Sequence, residues 1–234
     1  MRTSEWVRSL NELRQAVQTA AKHAADVDRD ARIPAQAISE LRSLKSMSAI
    51  APKALGGAGL GAAEMVHIAR GLARGCASTA LVWSMYQRQL ASRCRFSGGV
   101  ARLKELARTA VGEQWLIASA TSEASTGGNL RSSEAAVADL PAEPDRVCLV
   151  KQATTVSYGA EADLILLTAR RGADAAPGDQ VLAAVLAEQA QLSQTSEWHP
   201  MGMRGRTARV SVSRRSFPAI SSCRPRLRIS RRKP

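Results

Sequence analysis

Aromatic residues make up only 3% of this 234-residue chain, with two phenylalanines, two tyrosines and four tryptophans. A core must therefore rest on Ala, Leu, Val, Ile and Met. Long apolar runs are missing too. The longest stretches, such as Ala77–Tyr86, carry Ser and Thr and are too short to cross a bilayer. Met1-Arg-Thr-Ser-Glu-Trp6 holds no apolar segment of the kind a secretory leader needs, which makes the cytoplasm the expected compartment. The four cysteines, Cys76, Cys94, Cys148 and Cys223, are widely spaced and predict neither a zinc site nor a disulfide framework. Acid is absent from residues 213–234, which hold eight of the net +13 charges. The body of the chain is only mildly basic, and a nucleic-acid role would rest on that tail alone. The tail has one aromatic, Phe217, for stacking bases, so such a role is disfavoured.

What is present is an ordinary globular mixture, 45% hydrophobic and 23% charged, of a length that suits one or two domains. The first half reads as helices. Trp6, Leu10, Leu13 and Val17 recur at helical spacing, and Ala20, Ala21, Ala24 and Ala25 continue the stripe. Ile38, Leu41 and Leu44 follow Pro34. Met65, Val66, Ala69 and Leu72 mark a third helix, Leu81, Val82, Met85 and Leu90 a fourth, and Val100, Leu103, Leu106 and Val111 a fifth. After Gln114 the period changes. Trp115–Thr121, Val147–Val150, Ala162–Thr168 and Val181–Leu186 are short apolar runs bounded by turn formers and predict strands. Ala135–Asp145 is polar with two prolines and predicts an exposed loop. Helices followed by strands predict an α+β fold. An N-terminal all-α domain spans 1–113, a small β-barrel or sandwich domain spans 114–212, and the basic tail 213–234 is expected to be disordered.

Several motifs have plain structural readings. Gly57-Ala-Gly59-Leu-Gly61 lacks the preceding strand and the spacing of a dinucleotide loop, so a helix–helix turn is favoured. Glu64 and His67 stand one turn apart, but a di-iron bundle needs a second such pair, and a satisfied helix histidine is the simpler reading. His23 and His199 have no evident partners, and no nucleophile elbow occurs. The informative stretch is Ser119-Ala-Thr-Ser-Glu-Ala-Ser-Thr-Gly-Gly-Asn-Leu130, where a strand delivers hydroxyls and amides to a glycine pair that a ligand could approach.

Four stretches, in order, resemble the acyl-CoA dehydrogenase family of flavoproteins. They are Pro52-Lys-Ala-Leu-Gly-Gly-Ala-Gly-Leu60, Ala73-Arg-Gly-Cys-Ala-Ser-Thr-Ala-Leu81, Thr121-Ser-Glu-Ala-Ser-Thr-Gly-Gly-Asn-Leu-Arg131 and Trp198-His-Pro-Met-Gly-Met-Arg-Gly205. They are similar to the family's Pro-x-x-x-Gly-Gly-x-Gly loop, a helix entry, the flavin loop and the Gly-Met-Arg-Gly-Thr signature. The resemblance covers residues 10–212 and implies FAD as cofactor and an acyl-CoA as substrate. It implies that Ser119, Thr121 and Ser122 contact the polar edge of the flavin ring. It aligns Thr155, Val156 and Ser157 with the family's Trp-Ile-Thr strand, within one or two residues of register. Gly128 falls where the family often has a serine touching the acyl-CoA, and Ala124 replaces the usual proline. The family's catalytic glutamate lies in a C-terminal helical bundle that this chain does not contain, so no catalytic base is assigned. Glu123 belongs to the flavin loop, and Glu161 and Asp163 sit at a strand entry.

The change of character after Val212 suggests a frame-shifted or truncated reading. The resemblance thus implies a truncated, inactive dehydrogenase, usually homo-oligomeric in the family, with weak or no FAD retention. Two alternatives stay open. One is a flavin-dependent monooxygenase of the same fold, and the other is a non-catalytic basic module acting through the tail. The two domains are expected to join near residues 112–115, with the loop Ser122–Asn129 lining the cleft between them.

Overall fold

A computed structural model describes residues 3–96, 101–126, 128–140, 146–196, 200–205, 209–213 and 217–218. Trp198, His199, Cys223, Val100, Pro141 and Pro144, the side chains of Trp6 and Leu10, and the tail beyond Pro218 lie outside them.

The helical stripes close on one another as their periods predict. The helices are α1 (Thr3–Arg29), α2 (Ala35–Ser43), α3 (Ala62–Gly75), α4 (Ala77–Phe96) and α5 (Ala101–Gly112). With few aromatics available, small residues let the helices approach closely. Ala16, Ile38, Leu41, Ile68 and Leu72 pack around Trp83, Tyr86 and Leu90 of α4. Trp83 donates its indole N–H to the carbonyl of Ser46 at 3.2 Å, and the Gln87 amide donates to the carbonyls of Ser46 and Met47. These bonds satisfy polar groups that burial in α4 would otherwise leave costly. At the start of α3, Glu64 reaches back to accept the N–H of Gly61 at 3.1 Å, an N-terminal cap that accounts for its place one turn from the exposed His67. No helix among the described residues is long and apolar enough to cross a membrane.

The strands are β1 (Ile117–Ala120), β2 (Val137–Asp139), β3 (Arg146–Leu149), β4 (Lys151–Ala153), β5 (Leu164–Arg170), β6 (Gln180–Leu186), β7 (Gln191–Ser196), β8 (Arg209–Ser213) and β9 (Phe217–Pro218). They form three small sheets ordered β1-β5-β6, β2-β3-β9 and β4-β8-β7. The β1–β5 pair is parallel, with Ile117 opposite Leu164, and β5 and β6 are antiparallel. Leu164 to Leu167 are all buried, the uninterrupted apolar run of a strand covered on both faces.

Two expectations meet a different arrangement. The polar segment Ala135–Asp145 contains β2, whose three residues find antiparallel partners in β3 despite an exposed composition. The segment assigned to the tail starts inside the sheets, because Ser213 ends β8 and Phe217 pairs with Val147 of β3.

Side-chain bonds tie the turn between α5 and β1 to the helices and to the start of β5. Gln114 takes a left-handed turn (φ 54°) and donates its side-chain amide to Ser48 Oγ at 3.0 Å and to the carbonyl of Val111. This turn delays the first strand from Trp115 to Ile117. Arg42 of α2 donates to the carbonyl of Gln114 and forms an ion pair with Asp163 at 2.7 Å, and Asp163 also accepts the N–H of Leu116. Both charged side chains are more than one-third exposed, so solvent screens the pair. An Arg42→Ala variant is expected to lose about 1 kcal/mol or less, measured by urea denaturation.

Candidate functional site

The flavin-loop stretch leaves β1 at Ala120 and runs over the surface. Ser119, the hydroxyl-bearing residue of β1, accepts a hydrogen bond from Gln89 of α4 at 2.8 Å, which ties the candidate site to the helical domain. Its own O–H is then left to donate. Thr121 is exposed, and its carbonyl accepts from Thr168 Oγ1 at 3.3 Å. Ser122 is half-buried, and its hydroxyl lies 2.6 Å from that of Thr154. Two hydroxyls in one bond use one proton between them, so one O–H remains for an outside acceptor.

Thr155 is half-buried, whereas Val156 and Ser157 are buried at 0% and 6% exposure. The residue that meets the loop is Thr154, just before the aligned triad. Gly128 is exposed with φ +88°, and a Cβ built there would have nothing within 4 Å.

Beneath the loop lies a buried ion pair between Glu123 and Lys151, 4% and 0% exposed, at 2.5 Å. Glu123 also accepts from the Ser133 hydroxyl and from the amides of Glu134 (2.7 Å) and Ala135 (3.3 Å). Lys151 further donates to the carbonyl and hydroxyl oxygens of Thr168 at 2.7 and 3.3 Å. Burial pushes the Glu123 carboxyl up, but the bonds from Lys151, Ser133 and Glu134 outweigh it and hold the group below the usual carboxylate range. Burial holds the Lys151 ammonium below its ordinary value, with Glu123 as the counterweight.

Sequence reasoning noted Glu123 only as a loop carboxylate and missed Lys151, Thr154 and Gln89. A lysine immediately after the apolar run Val147-Cys-Leu-Val150 was the available signal. Glu161 is exposed, and Asp163 is engaged by Arg42 and Leu116.

The glycine-rich loop does not act as an anion cradle. The amides of Gly57, Ala58, Gly59 and Leu60 donate to the carbonyls of Pro52, Ser48, Ala51 and Ala49. A cavity of about 450 Å³ borders this loop between α2 and α3, and the flavin-loop residues are not part of its lining.

The donor set fits a flavin. Its ring edge carries several acceptors, and Ser119 with the Ser122–Thr154 pair offers hydroxyl donors on and just beyond a rigid strand.

Known proteins agree with this fold. FMN-bound TdsC from Paenibacillus sp. A11-2 superposes with a TM-score of 0.74 at 19% identity, over 88% of this chain and 51% of that one. Methanesulfinate monooxygenase MsuC from Pseudomonas fluorescens gives 0.76 at 17% identity, over 92% and 52%. An acyl-CoA dehydrogenase from Geobacillus kaustophilus gives 0.75 at 15% identity, over 95% and 58%. The chain thus spans about half the length of these relatives. No curated protein matches it in sequence. The family described as acyl-CoA dehydrogenase, N-terminal domain, matches residues 7–123, from α1 through β1 to Glu123 just beyond it, and the chain belongs to the acyl-CoA dehydrogenase family.

Proposed function

We propose that this chain forms the helical and β-domain part of a flavin-dependent oxidoreductase whose chemistry is monooxygenation rather than acyl-CoA dehydrogenation. Gly128 carries the choice. The dehydrogenase reading wants a serine there to touch the acyl-CoA. The observed φ of +88° is a conformation that side-chain-bearing residues adopt only under strain. The loop is shaped for a residue without a side chain at this position. Glu123, buried and held by four donors, acts in neither reading as a base and serves the loop's structure.

Ser119, Ser122 and Thr154 would hold a flavin that, reduced by an external hydride donor, would supply the two electrons for placing one atom of dioxygen in the substrate and the other in water. The chain's own contribution is to bind and orient. Ser119, Ser122 and Thr154 would donate to the ring's polar edge, and exposed Thr121 would flank it. The resemblance names FAD, whereas FMN is the flavin bound in TdsC. Titration of the purified chain with each flavin, followed by fluorescence quenching, distinguishes them.

The deciding experiment has two arms, acyl-CoA added under anaerobic conditions and reduced flavin exposed to air with a candidate substrate. A series of acyl-CoA thioesters is expected to leave the flavin unbleached. Reduced flavin with dioxygen and an aromatic or sulfur-bearing substrate is expected to give an oxygenated product. Rapid bleaching by an acyl-CoA would overturn the monooxygenase reading. A Gly128→Ser variant is expected to lose about 1–2 kcal/mol of stability through backbone strain and to gain no acyl-CoA affinity.

A further inference from the structure

We propose that Glu123 and Lys151 are a positioning pair that holds the Ser122 and Thr154 hydroxyls in one shared hydrogen bond aimed at the flavin, a role that rests on the flavin reading above. Glu123 directly follows Ser122, and Lys151 precedes Thr154 by three residues. Each hydroxyl is therefore tied by a few backbone bonds to one end of a buried contact. The two segments come from different parts of the β-domain and are joined by the ion pair and, farther along, by the Tyr158 hydroxyl donating to the carbonyl of Ile117.

The network is fully satisfied. An ammonium has three protons to donate, and Lys151 places them on Glu123 Oε1 and on the carbonyl and hydroxyl oxygens of Thr168. The Glu123 carboxylate accepts from Lys151, Ser133, Glu134 and Ala135. Thr168 then donates its hydroxyl to the carbonyl of Thr121, closing a circuit through β5 back to the flavin loop. A circuit with every donor and acceptor matched admits one arrangement.

Stability alone does not explain the pair, because well-packed apolar residues of similar volume hold a core at least as well as a buried ion pair. Apolar residues would lack directional bonds to four separate segments. Position is what the ion pair adds.

The test is a cycle of FMN affinities, titrated into the millimolar range on protein shown to be folded by circular dichroism. In the unaltered background, Ser122→Ala and Thr154→Val are each expected to weaken binding about five- to tenfold. Together they should weaken it no more than either alone, because a hydroxyl that has lost its partner is no longer held toward the ring. In a Glu123→Gln/Lys151→Met background, binding should weaken and the two substitutions should become additive. A pair that is merely structural would lower the melting temperature and leave the non-additivity intact, which would overturn the proposal. Additive losses in the unaltered background would overturn it as well and leave the flavin reading standing. No FMN binding by the unaltered chain would overturn both. If the double substitution fails to fold, Glu123→Asp, shorter by one methylene, provides the same comparison.

Discussion

A Lys151→Met variant is expected to be less stable by about 3–5 kcal/mol at neutral pH, the usual cost of removing one partner of a buried ion pair. Methionine fills most of the lysine volume, so the loss comes from charge. The Glu123 carboxylate would remain 4% exposed with no cation opposite it. Urea denaturation should show a lower midpoint at an unchanged slope. Adding Glu123→Gln removes the stranded charge and should recover part of the loss. Acidity gives a second check. The folded-state pKa of Glu123 is lowered, so the unfolded chain takes up the proton first as pH falls. The group's contribution is full above its unfolded value, about 4.3, and is lost as pH falls through the lower folded value. The unaltered protein should lose stability in that acid window. Glu123→Gln should lose that part of the pH dependence, followed as melting temperature against pH.

Gly57→Ala is expected to be the most damaging single-methyl change in the helical domain. A Cβ there would sit 2.2 Å from the carbonyl oxygen of Ala51 and 2.5 Å from its Cβ. Backbone stands on both sides of the clash, so no side chain can swing away. The same Ala51 carbonyl accepts the N–H of Gly59, and any shift also loosens the loop's internal bonds. The expected cost is about 3 kcal/mol, at the upper end for overpacking. That would appear as a fall of about 6–12 °C in melting temperature for a chain of this size. Gly172→Ala is the control. Its added Cβ meets nothing within 4 Å and should leave the melting temperature in place.

The architecture was legible where one physical signal dominated. Ile38, Leu41 and Leu72 repeat at helical spacing because one face of each helix is buried, and all three lie in the core, whereas Val66, read into the third stripe, is exposed and the unread Ile68 takes the inward place. The runs in β5 and β6 were visible because β5 is covered on both faces and most of β6 is buried. β2, β4 and β7 were not visible. Val137–Asp139 is largely exposed, Gln191–Ser196 is mostly polar, and Lys151 opens its strand with a residue type that normally faces solvent. The site divides along the same line. Hydroxyls and glycines clustered within 119–131 announced a ligand loop. The hydrogen bond from Ser122 to Thr154 spans 32 positions and the ion pair from Glu123 to Lys151 spans 28, separations at which no local periodicity operates.

The parallel pairing of β1 with β5 bears on how the chain folds. Leu116 and Asp163, which bond across the start of that pair, are 47 positions apart. A parallel neighbour cannot be reached by a tight turn, so the intervening loop must close before the pair gains any stabilisation. The helical half is rich in contacts between nearby segments and should form early, while the β-half waits on distant ones. In that interval the strand Leu164–Arg170, paired only with its near neighbour Gln180–Leu186, presents an open apolar edge where β1 will sit and is prone to join copies of itself there. Yield of folded protein should accordingly depend on synthesis rate and concentration, and slow, cool expression should favour it.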